Sequence, residues 1–202
     1  MFCSIEYEIE PIIATHERGK VMDAEGLVLS VLGALPAREI RGRKRLQKLA
    51  FFAVQTGAES NVRFFLYDFG PFSTEVAKAT DFLAFVGDIT EVEEQFGRAK
   101  RYHKVYRLTD PVDLPERFPT ETSEALRALN EYSTIELEIA STIRYFMGTG
   151  FDPSRAIEET KRLKPSKSEP IIVRRATEAL SKVGLYERRR TDQVSSTRSD
   201  QL

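Results

Sequence analysis

The chain has 202 residues, 41% of them hydrophobic, and its 30 Lys and Arg face 31 Asp and Glu for a net charge of -1. This is the composition of a globular protein, and it supplies no global attraction to nucleic acid. A lone cysteine, Cys3, leaves neither an internal disulfide nor a thiolate metal cluster to expect, and no apolar run approaches the roughly 18 residues of a membrane span.

Residues 1–21 read as an extension, with Met22 as an alternative start. The alternation Ile5-Glu6-Tyr7-Glu8-Ile9-Glu10 lacks the basic start and apolar block of a secretory leader, so the expected compartment is the cytoplasm. Asp23 is a helix N-cap, followed by Leu27, Val28, Val31 and Leu32 at helical spacing, with Pro36 ending the segment. In R-K-R-L-Q-K-L-A-F-F-A-V-Q-T-G (43–57), Leu46, Leu49, Ala50 and Ala53 form an apolar stripe. Lys44, Gln47, Lys48 and Gln55 lie off it, and Gly57 closes the helix.

The aromatic run V-R-F-F-L-Y-D-F (62–69) reads as a strand with Phe65, Tyr67 and Phe69 on one side. Asp68-Phe69-Gly70 is the tripeptide with which protein kinases hold magnesium. The glycine-rich loop, strand lysine and H-R-D loop that give it that role are missing. Gly70 and Pro71 are therefore expected to form a turn that stops the strand, with Ser73 or Thr74 capping a helix to Val86 closed by Gly87. That helix is expected to bury Val76, Ala79, Leu83 and Val86. Two strand-like runs, 88–96 and 102–109, flank the basic loop G-R-A-K-R, and a proline-rich linker covers 110–119. The rest is helical: 121–131, a capping box at Ser133 opening a helix to Met147, Asp152-Pro153 opening another through Leu163, and a last helix capped by Ser168. The polar tail from 186 is expected to be disordered.

Catalytic chemistry finds little support. His16 lies in the extension, and His103 lies between basic residues on a strand, where a phosphate contact or simple exposure fits better than catalysis. Asp152 and Glu159-Thr160-Lys161 imitate the acid and E-x-K of metal-dependent nucleases. On a helix, however, Glu159 and Lys161 diverge by about 200°. No catalytic, metal or cofactor site is assigned.

The element order predicts an α+β, mostly helical protein. A winged helix-turn-helix-like domain (22–110) with the 88–109 hairpin as its wing is followed by a helical region (119–185). R-L-Q-K-L-A-F-F (45–52), F-x-Y-x-F-G-P-F-S-x-E-V (65–76), D-F-L-A-F-V-G-D-I (81–89), Y-R-L-T (106–109), E-L-E-I-A-S-T-I (136–143) and K-R-L-K-P (161–165) resemble the YwgA-like family in order and spacing. The helix and G-P turn are distantly similar to Panacea-type antitoxin domains. The resemblance implies a helix-turn-helix-like fold and a regulatory or toxin-neutralising role.

The leading expectation is a non-enzymatic module that binds DNA or RNA. Its candidate contacts are Arg43, Lys44 and Lys48 on the basic helix, Thr74 and Lys78 on the third helix, and Arg98, Lys100, Arg101 and Lys104 of the wing. The third helix has no Arg, and Glu75 and Asp81 oppose phosphate there. The alternative is a protein-interaction module, an antitoxin or assembly subunit. It would bind a neighbouring gene's product or a second copy through Phe51, Phe52, Phe82 and Phe85, residues that otherwise fill the core.

Overall fold

A computed structural model describes residues 21–96, 101–110 and 118–186. Arg98, Lys100, most of the N-terminal extension, most of the linker and all but the first residue of the tail lie outside the described residues, as does the side chain of Arg101.

Helix α1 (Ala24–Ala34) starts where the Asp23 carboxylate accepts the Gly26 N–H at 2.8 Å. A short strand β1 (Glu39–Arg41) leads through Gly42 into α2 (Arg43–Gln55). Strands β2 (Phe65–Tyr67) and β3 (Gly70–Phe72) form a small antiparallel hairpin. Helix α3 (Thr74–Val86) is capped by the Ser73 hydroxyl and ends at Gly87 in the left-handed conformation. Strands β4 (Ile89–Phe96) and β5 (Arg101–Leu108) follow. Helices α4 (Thr120–Leu129), α5 (Thr134–Gly148), α6 (Pro153–Leu163) and α7 (Pro170–Lys182) complete the described chain, with a 3-10 turn at Pro165–Lys167. The capping box at Ser133 forms through Glu136, and Asp152 caps α6.

The protein is thus α+β, with seven α-helices and two antiparallel sheets among the described residues. The larger sheet has the order β1-β5-β4, with Ile40 opposite Tyr106 and Glu91 opposite Tyr106 on the other flank. One face turns Ile40, Ile89 and Tyr106 into the core. That core is continuous across the regions before and after the linker. Leu27, Leu32, Leu49, Phe52, Leu83, Leu126, Leu137, Ile143 and Leu180 belong to one buried cluster. No helix among the described residues is long and apolar enough to cross a membrane.

Several expectations change. Gly70 and Pro71 do not stop the strand. Asp68 and Phe69 make the turn, and Leu66 opposes Pro71 in a continued hairpin. Proline is tolerated because the Leu66–Pro71 pair is the non-hydrogen-bonded one in this two-residue loop, so the ladder needs no N–H there. Strand β1 was not expected, since three residues carry no readable alternation, and it forms against the edge of β5. Ser168 does not cap α7. Its hydroxyl donates to the Lys164 carbonyl, and Pro170 occupies the first turn. Val86 is exposed rather than buried, whereas Phe51 and Phe52 are core residues.

Gly70 has φ 84°, and a Cβ there would lie 2.7 Å from Thr142 Oγ1 and 3.4 Å from the Glu138 carbonyl. The hairpin therefore lies directly on α5. Gly87 has φ 93° and open space around its would-be Cβ. Both Gly→Ala variants incur the left-handed penalty of about 1–2 kcal/mol, and only Gly70→Ala adds the collision. In urea unfolding, Gly70→Ala is expected to lose clearly more stability than Gly87→Ala. Equal losses would contradict the close contact between hairpin and α5.

Candidate functional site

Three features stand out from the scaffold. The first is a polar network under the β2–β3 hairpin. Glu138 on α5 is buried, and its carboxylate accepts Lys164 Nζ at 2.9 Å and Lys167 Nζ at 2.8 Å. Lys164 also donates to the Asp68 carbonyl at 2.7 Å. From α2, Lys48 Nζ donates to the Pro71 carbonyl at 2.6 Å, and Gln47 makes paired bonds with the Ser73 backbone at 2.9 and 3.0 Å. Outside this layer the Phe69 ring meets Lys44 Nζ at 3.3 Å and Lys167 Nζ at 4.8 Å from its centroid.

Burial opposes ionisation of Glu138, but the bonds from Lys167 and Lys164 outweigh it and hold the carboxyl below its usual range. Burial also dominates at Lys48 and lowers its ammonium to about 7. Glu138 pulls the other way, while Lys164, Lys44 and Lys167 add to the depression. Lys48 is therefore not a surface contact for nucleic acid. At 2% exposure its long side chain crosses beneath the hairpin.

The second feature is a groove of about 810 Å³ where β1 ends and β5 continues, closed by the starts of α2 and α5. Its cations are Arg41, Arg43, Lys44, Arg45 and Lys104, with Glu39 the one carboxylate of the lining. Tyr102 and His103 face it from β5. Gly42 has φ 98°, nothing within 4 Å of its would-be Cβ, and no side chain capping the helix it starts. Positive helix-end potential and cations thus meet at one open place.

These cations have partners. Arg43 bonds the Tyr106 hydroxyl at 3.2 Å and pairs with Asp81 of α3, Lys104 pairs with Glu91, and Arg41 bonds Glu39 at 2.9 Å. On the outer sheet face Arg107 joins Glu39 to Glu94. Arg45 is committed to Asn130 and the Tyr132 carbonyl. Lys44 and Lys104 are exposed and Arg43 is half-buried. Arg41 and Arg45 were not among the expected contacts, because the strand that aims Arg41 was invisible in the sequence.

The third feature is the outer face of α3. Thr74 and Lys78 are exposed, and so are Phe82 at 53% and Phe85 at 88%, with Val86 beside them. Glu159 bonds Arg162 within α6 while Thr160 is buried, so Glu159-Thr160-Lys161 sits on a helix with its members turned apart. No group of three or more His, Cys, Asp or Glu placed to hold a metal occurs among the described residues.

The chain is 30% identical over 114 residues to the uncharacterized protein YwgA of Bacillus subtilis strain 168, a match covering 54% of this chain and 68% of that protein. No family model and no solved structure matches.

Lys48 gives the network a pH signature. Between about 7 and its unfolded value near 10.5, the unfolded state binds a proton that the folded state does not. Stability therefore rises with pH across that window, by up to about 1.4 kcal/mol per unit. In urea titrations from pH 6.5 to 9.5, wild type is expected to gain stability relative to Lys48→Met as pH rises. A difference independent of pH would show that Lys48 stays charged throughout.

Proposed function

The chain belongs to the YwgA-like family, and we propose that it is a non-enzymatic, winged-helix-like regulatory module that binds nucleic acid along the groove at the start of α2. The carrying observation is the groove itself, with five cationic side chains and one carboxylate around an uncapped helix start. In this reading α1, α2 and α3 form the helical core of a winged helix, β4 and β5 are its wing, and β1 is the third strand of the wing sheet. Surface ion pairs contribute only about 0–1 kcal/mol each, so Arg41, Arg43 and Lys104 exchange carboxylates for phosphates at small cost. Phosphate contacts then supply most of the affinity.

The exposed Phe82 and Phe85 favour a second reading, in which α3 docks a partner protein or a second copy and the winged helix is a scaffold. The two readings concern different faces. Phe85→Glu is expected to abolish a protein complex while leaving nucleic-acid binding unchanged.

The test is fluorescence anisotropy of labelled nucleic acid with the full chain between about 50 and 200 mM salt. Affinity is expected to fall steeply with salt, and Arg41→Ala/Lys44→Ala to reduce the log–log slope by about 1–2. Absence of saturable binding at low salt would reject the nucleic-acid reading and leave the α3 surface as the functional one.

A further inference from the structure

We infer that the strand this groove takes is single, its phosphates on the cations and its unpaired bases stacked on Tyr102 and Phe69. This rests on the nucleic-acid reading above and adds what that reading leaves open, the form of nucleic acid.

The aromatic groups are placed for it. Tyr102 is 61% exposed and lines the groove two residues before Lys104, on the same face of β5. An aromatic ring and an ammonium thus alternate along one strand. Phe69 is 41% exposed at the hairpin turn, and Lys44, a groove residue, has its ammonium on that ring. An exposed ammonium–ring contact is weak, so Lys44, the nearer of the two ammoniums on this ring, can turn to a phosphate and give up its place to the adjoining base, with Lys167 remaining at 4.8 Å. Cations tracking a backbone beside aromatic platforms are the arrangement by which proteins hold single strands, since every base has a π-face.

The helix that would enter a duplex argues the same way. The sequence of α3, TEVAKATDFLAFV, holds no Arg, Asn or Gln, and Lys78 is its one side chain of the kinds that read base edges in pairs of hydrogen bonds. Its exposed face offers Thr74 and Lys78, then Asp81, Phe82 and Phe85. Carboxylate and exposed phenyl rings are poor neighbours for a phosphate backbone. A duplex would meet the groove through phosphates alone and leave Tyr102 unused.

The experiment measures binding of the full chain to labelled dT and rU oligomers of about ten nucleotides and to a mixed-sequence duplex, at one low salt concentration. Single strands are expected to bind at least about tenfold more tightly than the duplex. Tyr102→Ala is expected to weaken single-strand binding by about 5- to 150-fold, the worth of one stacked base, and Tyr102→Phe to retain it. Tyr102 is at the surface, and circular dichroism of the variants checks that the fold is kept. A preference for dT or rU supports the inference and names the sugar. Duplex binding as tight as single-strand binding, with Tyr102→Ala silent, overturns the inference and leaves the nucleic-acid reading standing. Binding to none of the three probes overturns both.

Discussion

The arrangement depends on one buried carboxylate. Glu138 sits in the second turn of α5 among fully buried neighbours, where an unpaired charge would be intolerable, and Lys164 and Lys167 answer it from the segment after α6. Lys164 reaches past Glu138 to the Asp68 carbonyl, so the same ammonium holds the hairpin turn to the C-terminal helices. A buried ion pair of this kind adds little net stability relative to an apolar equivalent, but removing one partner costs about 3–5 kcal/mol. Its effect here is geometric. It sets where the β2–β3 hairpin lies and leaves Gly70 no room for a side chain.

The hairpin in turn orients α2. Gln47 and Lys48 project into the interior, where the Ser73 N–H and the Pro71 carbonyl need partners that no strand or helix supplies; Gln47 also donates to the Ser73 carbonyl, which α3 already bonds through Ala77. With that face of α2 fixed inward, the first turn, Arg43 to Arg45, emerges at the end of β1. The Gly42 N–H, bonded to the Lys104 carbonyl at 2.8 Å, ties this turn to β5. The groove is thus a consequence of packing beneath the hairpin, about one helical turn away.

Much of this was legible in the sequence, and the rest was hidden for identifiable reasons. Apolar spacing located the helices even though α1, α2 and α5 are buried over whole turns rather than along one stripe, and the caps at Asp23, Ser73, Ser133 and Asp152 are local chemistry that a few residues specify. The polar network was not legible. Gln47 and Lys48 lie off the apolar stripe of α2, and nothing local reveals that their partners are backbone carbonyls and amides more than 20 residues away. The one available signal was Glu138, a charge inside the run Leu137 to Ile143 that is buried on every side and therefore demands a cation. Charge singled out Arg43, Lys44, Lys48 and Lys104 without showing their placement: Arg43, Lys44 and Lys104 line one groove, whereas Lys48 is buried, because a long aliphatic stem lets an amine be buried at a carbonyl.

Arg43 stands where the surfaces meet. Its guanidinium bonds Tyr106 on β5, pairs with Asp81 on α3 and lines the groove. The groove side of this residue is cationic and lined by exposed aromatic and imidazole groups, whereas the α3 side is acidic and phenyl-rich. Two surfaces of such different chemistry suit different occupants. The ion pair between Arg43 and Asp81 joins the two sides and offsets one carboxylate of α3, while Phe82 and Phe85 stay exposed beside it. The sheet carries the same economy outward. Arg41 and Arg107 share Glu39 and Glu94, so these charges balance on the outer face of the β1-β5-β4 sheet, while the cations that line the groove gather at the edge where β1 stops and α2 starts.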